Sequence, residues 1–324
     1  MKANLTTSVA LCSYNGEKFI EEQIRSILNQ TMKIQEIIVV DDCSNDNTVR
    51  IAEAILENTD IKWLVLKNDT NIGFVKNFEK AMKLCTNDII FLSDQDDIWY
   101  EDKVECILQY FHDNIKIAGL THDAKIVDAD RVWYGTYKNV QFRNGYGHPR
   151  PPITGALSVI KREYLAFIFP IPKVSGHDIW IDYTMSFFKN YWLFVDDCLG
   201  EIRRHHNNTS EWFVNSFQSI NKIDVLSHQF LSKIAKSYHD RFIINSALRQ
   251  RLKKNNYFQE IFDAESALEA IEKLNAERFA IASRQKIVRN RKRVFRWYYS
   301  LRLLFAGGYN YFNGVKSFSR DIFR

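Results

Sequence analysis

The residues best suited to chemistry are the acidic ones in the run Ser93-Asp94-Gln95-Asp96-Asp97-Ile98-Trp99. Three carboxylates within four residues repel one another unless positive charge offsets them. A hard divalent cation, Mn²⁺ or Mg²⁺, bound by carboxylate oxygens together with the phosphates of a substrate would provide that charge. The alternative is a helix N-cap, in which Asp96 or Asp97 opens a helix over Tyr100–Phe111. Because the run follows an apolar segment typical of a strand, we favour the metal interpretation.

A second acidic pair, Asp41 and Asp42, also follows an apolar run. A carboxylate at this point can accept a hydrogen bond from a ribose hydroxyl or from the imide N–H of uracil or thymine. Asp46, Asn47 and Thr48 explain the capping of the next helix, which leaves the acidic pair for another role. No G-x-G-x-x-G or G-x-x-x-x-G-K-[ST] pattern follows a predicted strand, which argues against a dinucleotide oxidoreductase and a P-loop NTPase.

The elements that must position these residues alternate along the first hundred residues. The predicted strands are Ser8–Cys12, Glu36–Val40, Lys62–Leu66 and Asp88–Leu92, and the predicted helices between them are Ile20–Leu28, Val49–Leu56 and Phe74–Leu84. Right-handed crossovers of this kind give a mostly parallel sheet with helices on both faces and with ligands at the carboxyl ends of its strands. We therefore predict an α/β fold in which four polar loops converge on one edge of the sheet.

Two further segments that could do chemistry lie in the less regular part of the chain. Gly176-His177-Asp178-Ile179-Trp180 offers a carboxylate that either caps a helix over Ile179–Phe188 or has a functional role. Ile202-Arg203-Arg204-His205-His206-Asn207-Asn208 offers arginine forks for phosphate oxygens and imidazoles for a metal, or else is a solvated basic turn. Zinc is not indicated, because no Cys or further His lies at ligand spacing.

The C-terminal part of the chain combines helix formers with basic charge. Two long helices are predicted between Val225 and Ala306. Arg284–Arg324 contains eleven Lys and Arg against one acid, so the net charge of this tail is +10. Because the net charge of the whole chain is +5, residues 1–283 have a net charge of −5. Its ten aromatic residues make it typical of a segment that lies on an anionic membrane surface, although it is too polar to cross a membrane. The alternative is a helical packing or dimerisation element whose aromatics are buried.

The composition is that of a folded globular protein, with 46% hydrophobic and 26% charged residues. The five Cys form no C-x-x-C pair and are odd in number, which argues against a disulfide framework and a structural zinc site. A reducing cytoplasm is therefore expected.

Five motifs together resemble the inverting GT-A glycosyltransferases of family two. They are Val9-Ala10-Leu11-Cys12-Ser13-Tyr14-Asn15, Ser26-Ile27-Leu28-Asn29-Gln30-Thr31, Val39-Val40-Asp41-Asp42-Cys43-Ser44, Asn71-Ile72-Gly73 and Asp94-Gln95-Asp96. The resemblance covers roughly residues 6–210 and implies a GT-A fold, a Rossmann-like sheet, here followed by a helical extension. The Asp-Gln-Asp-Asp-Ile-Trp form is similar to that of bacterial enzymes of O-antigen or capsule synthesis, including rhamnosyl transferases.

The resemblance also implies roles on the donor side. Asp94-Gln95-Asp96 corresponds to the D-x-D metal motif, with Asp96 as the main ligand of Mn²⁺ or Mg²⁺ and with Asp94 and His205 as further ligands. The residues expected on the nucleotide-sugar side are Cys12, Tyr14, Asn15, Asp42, Asn71, Asp94, Gln95 and Arg203. Cys12 departs from the Thr or Pro that the family often has, so its contact with the nucleobase is expected through the backbone.

On the acceptor side, the resemblance implies that Asp178 is the catalytic base, which takes the proton of the acceptor hydroxyl. Asp182 is the reserve candidate, one helical turn further on. Pro151-Pro152-Ile153-Thr154-Gly155 is expected in the acceptor wall, and Trp180 is a candidate for stacking on a sugar ring. The role of His206 stays open.

These observations predict a catalytic domain over 1–215, with a nucleotide-sugar half over 1–100 and an acceptor half over 101–215. A helical extension over 216–283 and a membrane-association tail over 284–324 follow. We expect an inverting, metal-dependent transferase that moves a sugar from a dTDP- or UDP-sugar to a lipid-linked or oligosaccharide acceptor in surface-polysaccharide synthesis. Its expected location is cytoplasmic, on the inner face of the cell membrane, with no nucleic-acid partner.

Two alternatives come from other classes. A nucleotidyltransferase would share the sheet and the acidic metal site, but Ser13-Tyr14-Asn15-Gly16 lacks the basic, glycine-rich phosphate loop expected after its first strand. A nucleic-acid-binding protein could use the basic aromatic tail, but the acidic body would repel phosphates.

Overall fold

The structure is a computed structural model of the 324-residue chain. It describes residues 5–128, 130–136, 153–173, 175–188, 190–205, 234–254, 262, 264–289, 293–312 and 314–323. The chain divides into two compact units. The first comprises Met1–Ile171, Gly176–Met185 and Asn190–Gln229, and the second comprises Pro172–Ser175, Ser186–Lys189 and Phe230–Arg324.

One sheet forms the centre of the first unit. Its described strands are β1 Thr7–Ser13, β2 Glu36–Asp41, β3 Lys62–Lys67, β4 Ile89–Asp94, β5 Ile98–Trp99, β6 Gly119–Asp128, β7 Trp133–Thr136, β8 Ser158–Lys161 and β9 Trp192–Arg204. They lie in the order β3-β2-β1-β4-β8-β6-β9-β5, with β7 paired to β6. The first four strands pair in parallel, whereas β8 is antiparallel to β4 and β6. The predicted α/β fold is confirmed, and the ends of the four predicted strands shift by one or two residues.

The helices of the first unit follow from apolar spacing. They are α1 Ile20–Leu28, α2 Thr48–Leu56, α3 Phe74–Leu84, α4 Lys103–Asp113, α5 Leu165–Ile168 and α6 His177–Met185. In α1, Ile20, Ile24 and Ile27 recur at helical spacing and are fully buried in the same cluster as Val9 and Leu11 of β1. Strands β1 and β2 are buried along their whole length, as expected for central parallel strands covered on both faces.

Two predicted helices have different bounds. The helix predicted over Tyr100–Phe111 begins at Lys103, because Ile98–Trp99 forms β5 and pairs with β9. Neither Asp96 nor Asp97 therefore caps α4, and that alternative is wrong. The helix predicted over Ile179–Phe188 begins at His177 and ends at Met185, so Asp178 lies inside its first turn rather than before it.

Strand β9 differs most from the sequence expectation. It has 13 residues and pairs in parallel with β6, with register shifts near Thr121 and Asp123 that mark irregular pairing. Its last residues are Ile202, Arg203 and Arg204, so the interpretation of these residues as a solvated basic turn is wrong.

The described part of the second unit is helical. Its helices are α7 Ile234–Lys254, α8 Ala264–Arg289, α9 Arg293–Phe305 and α10 Gly314–Phe323, so the described residues up to Ala306 contain three helices where two were predicted. The Arg284 guanidinium of α8 forms a buried ion pair with Asp321 of α10 at 2.7 Å, and the Tyr309 hydroxyl donates to the same carboxylate at 2.9 Å. None of the described helices is both long and apolar enough to span a bilayer.

Candidate active site

Strand β4 brings the acidic run to the carboxyl edge of the sheet. Asp94 is the last residue of β4 and lies beside Cys12 of β1 in the parallel register. Asp96 and Asp97 follow in the turn that leads to β5 and are 8% and 7% exposed. This edge, where loops follow parallel strands, is where such sheets bind ligands.

Gln95 fastens the acidic turn to the loop after β1. Its side-chain oxygen accepts the Tyr14 N–H at 2.8 Å, and its side-chain nitrogen donates to the Tyr14 carbonyl at 3.1 Å. Gly16 makes this arrangement possible, since a Cβ at that position would lie 2.0 Å from Gln95 Oε1. The amide predicted to contact the nucleotide sugar is thus bonded to the backbone of Tyr14, another residue of the predicted set.

Side chains also tie the loop after β1 to the loop after β2. Asn15, with a φ of 48°, accepts the Asn45 N–H at 2.9 Å and donates its own N–H to Ser44 Oγ at 2.7 Å. The buried Asp41 accepts the Ser44 N–H at 2.7 Å and the Ser13 hydroxyl at 2.9 Å. These bonds fix the shape of the two loops.

Asp42 organises the loop after β3. It is 3% exposed, and its carboxylate accepts the N–H groups of Ile72 at 2.7 Å and Gly73 at 2.9 Å and the Asn68 amide at 3.0 Å. Asn71 Oδ1 lies 3.2 Å from the Gly73 nitrogen. Because a carboxylate has about four acceptor sites, Asp42 retains little capacity for the predicted contact with a ribose or base.

The acidic turn concentrates negative charge. Burial, followed by the charges of Asp96 and Asp178, raises the pKa of Asp94 to about 7 against the opposing charge of Arg204. Burial and the charges of Asp96 and Asp94 also raise the pKa of Asp97 well above its usual range. Removal from water and neighbouring negative charge both favour the protonated form of a carboxylate.

The end of β9 brings a histidine to the acidic turn. His205 Nε2 lies 2.8 Å from Asp96 Oδ2, and its ring stacks on Phe19 with centroids 4.6 Å apart. Arg203 is 6% exposed, and it donates to Glu22 at 2.6 Å with its guanidinium 4.9 Å from the Phe19 ring. The structure therefore places His205 against Asp96 and pairs Arg203 with Glu22 of α1.

Sequence reasoning missed two basic residues near the turn. The charge of Arg204 opposes the rise in the pKa of both Asp94 and Asp97, so this arginine, rather than Arg203, acts on the acidic turn. Lys103 is 1% exposed and its charge acts on Asp97. Successive side chains of a strand point to opposite faces, so recognition of β9 in the sequence would have placed Arg203 and Arg204 on opposite faces of the sheet.

Asp178 lies near enough to the acidic turn for its charge to add to the raised pKa of Asp94. Its Oδ1 accepts the Ile179 N–H at 2.7 Å. A Cβ on Gly176 would lie 2.8 Å from that oxygen, so the glycine provides the space for the carboxylate. The structure thus brings the predicted base and the predicted metal motif together.

His177 anchors the start of α6 and was also missed. Its ring stacks on Phe78 of α3 with centroids 4.2 Å apart, and a Cβ on Gly155 would lie 2.3 Å from its Nε2. Burial lowers the pKa of His177 against the charge of Asp178, so the ring is neutral at pH 7. This packing fixes the backbone that carries Asp178.

Other predicted site residues have different surroundings. Trp180 is fully buried and donates to the Ile168 carbonyl at 2.7 Å, so its prediction as a sugar-stacking residue is wrong. Asp182 Oδ1 accepts the Ile153 N–H at 3.4 Å, and Cys12 is 7% exposed. Pro151, Pro152 and His206 lie outside the described residues. Within the described ranges, no three His, Cys, Asp or Glu residues form a group that could hold a metal ion.

The sheet and the helices around it have the GT-A fold of the chain's structural neighbours. Residues 8–169, half of the chain, match the family described as Glycosyl transferase family 2, and the chain belongs to that family. It is therefore a glycosyltransferase, which decides against the nucleotidyltransferase and nucleic-acid-binding alternatives.

Sequence relatives agree with this assignment, and a solved structure agrees with the fold. The dTDP-rhamnosyl transferase RfbG of Shigella flexneri is 28% identical over 263 residues, which cover 74% of this chain and 88% of RfbG. The UDP-Glc:alpha-D-GlcNAc-diphosphoundecaprenol beta-1,3-glucosyltransferase WfgD of Escherichia coli is 36% identical over 98 residues, 30% of this chain and 38% of WfgD. The structure of S. aureus TarS 1-349 in complex with UDP-GlcNAc has a TM-score of 0.53 at 16% identity and covers 93% of this chain and 80% of that chain, a likeness of fold.

Proposed function

We propose that this glycosyltransferase moves a sugar from a dTDP- or UDP-sugar to a hydroxyl group, with inversion at the anomeric carbon. The observation that carries the proposal is the convergence of Asp178 with the Asp94–Asp97 turn at the carboxyl edge of the sheet. The name of RfbG supports a dTDP-sugar donor, and the UDP-GlcNAc complex of TarS supports a UDP-sugar.

The donor chemistry of the acidic turn suits a divalent cation, Mn²⁺ or Mg²⁺, although no three of the described side chains form a metal-binding group by themselves. Carboxylate oxygens are the ligands that these hard cations prefer, and a cation bound there would offset the repulsion by which the charge of Asp96 adds to burial in raising the pKa of Asp94. Asp96 and Asp94 would hold the cation, with His205 beside Asp96, and water and diphosphate oxygens would complete its shell. When bound, the cation would stabilise the charge that develops on the leaving diphosphate.

Asp178 would act as the base. An acceptor hydroxyl held against this carboxylate would lose its proton while the oxygen attacks the anomeric carbon from the side opposite the diphosphate. The buried neutral ring of His177 fixes the backbone of Asp178 and carries no charge that would weaken the base. Arg204 would add positive charge on the diphosphate side of the site.

Substitution of the metal motif and of the base tests the proposal. Asp96→Ala, or EDTA with the unaltered protein, should lower sugar transfer and nucleoside-diphosphate release by about a thousandfold, the size of a loss of several kcal/mol. Undiminished turnover in either case would contradict the metal's role. Asp178→Asn should keep donor binding and lower transfer by about 10²- to 10⁴-fold, whereas Asp182→Asn should leave transfer largely intact. An active Asp178→Asn variant together with an inactive Asp182→Asn variant would make Asp182, the reserve candidate, the base.

A donor screen tests the nucleotide. Nucleoside-diphosphate release should be measured with UDP-, dTDP- and GDP-sugars at equal concentration. The proposal expects the fastest release with a dTDP- or UDP-sugar, because the two bases share the imide edge. Preference for a GDP-sugar would contradict it.

We further propose a lipid-linked acceptor at the inner face of the membrane, in synthesis of a surface polysaccharide. The name of WfgD, whose acceptor is a diphosphoundecaprenol-linked sugar, supports the acceptor class. Exposed apolar residues of α9 support the location: Val294, Tyr298, Leu301 and Phe305 recur at helical spacing and are 79%, 58%, 40% and 86% exposed. An apolar stripe of this kind within a basic segment is typical of a helix lying in an anionic bilayer surface.

Vesicle flotation tests this location without disturbing the buried tail residues. The triple variant Tyr298→Ser, Leu301→Ser, Phe305→Ser should bind anionic phosphatidylglycerol vesicles at least about tenfold more weakly than the unaltered chain, because three apolar side chains no longer enter the bilayer. Trp133→Ser is the control, since Trp133 is 62% exposed in the first unit. Equal flotation of the triple variant and the control would contradict the role of α9.

A further inference from the structure

Helix α1, which the proposed chemistry does not use, is bonded to the point where the acidic turn begins. Gln23 of α1 is fully buried, and its side-chain nitrogen donates to Ser93 Oγ at 2.7 Å. The Ser93 hydroxyl in turn donates to the Asp94 carbonyl at 3.0 Å. The end of β4 is therefore connected through two side chains to α1.

The same helix is bonded to the chain just after the turn, in β5. Ser26 Oγ accepts the Trp99 N–H at 3.1 Å and donates to the Gln23 carbonyl at 2.8 Å. It also lies 3.2 Å from Gln23 Oε1. Because residues three apart share a face of a helix, Gln23 and Ser26 act together on the two ends of the turn, with Gln95–Ile98 between them.

The donor and acceptor roles in this network are fixed by its two ends. The Trp99 N–H can only donate, so the Ser26 hydroxyl accepts there and directs its own proton at Gln23. The Asp94 carbonyl can only accept, so the Ser93 hydroxyl donates to it and accepts from the Gln23 amide. A polar network in which every group has one role rigidifies the backbone that it joins.

Gln30, two residues beyond α1, continues this support past the turn. It is 1% exposed, and its Oε1 accepts the Val104 N–H at 3.0 Å while its Nε2 donates to the Tyr100 carbonyl at 2.8 Å. The chain that leaves the turn is therefore held by the same stretch of sequence that holds the turn itself.

We infer that Gln23 and Ser26 are positioning residues, which fix both ends of the acidic turn and so hold Asp94 and Asp96 in one arrangement. Glutamine is rarely buried completely. Apolar side chains of the same size could fill this space at little cost in stability, but they could not bond to the backbone on both sides of the turn. What the inference says about donor binding rests on the proposed function.

Hydrogen exchange followed by mass spectrometry tests the inference on the ligand-free full chain. Ser26→Ala and Gln23→Met should each speed exchange of the amides over Gln95–Trp99 by about tenfold or more, because the turn opens more often when one end is released. Exchange over Glu36–Asp41, in β2, should change by less than about threefold. Unchanged exchange of the turn in either variant would overturn the inference.

Ser8 provides a matched control, because its hydroxyl makes the same two kinds of bond near the start of β1, away from the turn. It is fully buried, accepts the Asn87 N–H at 3.2 Å and donates to Glu36 at 2.5 Å. Ser8→Ala and Ser26→Ala should both lower the Tm by about 5 °C. Only Ser26→Ala should speed exchange of the turn, and an equal effect of Ser8→Ala would overturn the inference.

Nucleotide binding separates this inference from the proposed function. UDP and, separately, dTDP should be titrated by calorimetry in the presence of Mn²⁺. Ser26→Ala should raise the dissociation constant about tenfold, because the turn must be ordered on binding, whereas Ser8→Ala should stay within about twofold of the unaltered chain. Equal binding by Ser26→Ala and Ser8→Ala would overturn the role in donor binding. Unchanged binding in Asp96→Asn would instead contradict the proposed function, and the exchange result would still decide whether Gln23 and Ser26 hold the turn.

Discussion

At the scale of single residues, the side chains predicted to touch the donor already hold the site together. Gln95 is bonded to Tyr14, Asn15 to the loop after β2, and Asp42 to the loop after β3. A nucleotide sugar would therefore meet loops of fixed shape rather than side chains that must rearrange. Such preorganisation lowers the entropic cost of orienting the reacting groups.

A glycine substitution tests this view of Gln95. Gly16→Ala would place a Cβ 2.0 Å from Gln95 Oε1 and displace the amide from Tyr14. We expect kcat/KM for the donor to fall about tenfold, with little change in Tm, because a flexible side chain rather than backbone must move. Steady-state kinetics at varied donor concentration would measure this.

The double variant Gly16→Ala, Gln95→Ala gives the control for that prediction. If the glycine acts through Gln95, the double variant should be no less active than Gln95→Ala alone. A further loss in the double variant would show that Gly16 has a role of its own.

Some residue roles could not be predicted from sequence. Trp180 follows the predicted base and has the type of side chain that stacks on sugars, yet it is fully buried in the core. Arg203 and Arg204 are adjacent, and which of them acts on the acidic turn depends on where β9 begins and on its irregular pairing with β6. Neither the burial of Trp180 nor the start and pairing of β9 can be predicted from the local sequence pattern.

At the scale of elements, a polar cluster ties the strands together where β2 begins. Glu36 is fully buried and accepts bonds from Ser8 of β1 at 2.5 Å and from the Thr86 N–H at 2.7 Å, and it forms an ion pair with Lys62 of β3 at 2.7 Å. Burial alone would raise the pKa of Glu36, but the bonds from Lys62, Ser8 and Thr86 outweigh it and hold the pKa below its usual value.

The lowered pKa of Glu36 makes the free energy of unfolding depend on pH. Because the pKa of Glu36 is lower in the folded chain than in the unfolded chain, its contribution is present above the unfolded value of about 4.3 and is lost as the pH falls through the folded value. Glu36→Gln should lower the free energy of unfolding by about 2 kcal/mol at pH 7 and by less under acid conditions. Urea unfolding between pH 3 and pH 7 measures this, with the exposed Glu57→Gln as control. An equal loss at every pH would contradict it.

At the scale of the whole molecule, the two halves of the sheet differ in how far sequence predicts them. The alternation of β1 to β4 with α1 to α3 is local, and each apolar run is followed by the helix that covers it. The strands β6, β8 and β9 pair across long sequence separations, in mixed directions and with register shifts. No periodicity within a single segment encodes such pairing, so the end of β9 that completes the site was predicted only as a motif.

The second unit leads to the last prediction. Arg284 is 1% exposed and pairs with Asp321 at 2.7 Å, while Tyr309 donates to the same carboxylate. Truncation before Arg284 would therefore remove core residues together with the exposed stripe of α9, and lost vesicle binding would not identify the stripe as its cause. Arg284→Met should cost about 3 kcal/mol, because it leaves Asp321 buried without its counter-charge.

Limited proteolysis followed by mass spectrometry shows which part of the chain loses stability in the Arg284→Met variant. With Arg284→Met we expect faster cleavage between residues 230 and 324 and unchanged cleavage within Met1–Ile171, since Arg284 and Asp321 belong to the second unit. Arg302→Met is the matched control, because Arg302 is exposed on α9. If Arg284→Met and Arg302→Met were cleaved at the same rate, the buried pair would not hold the second unit together, and truncation would become a fair test of the tail.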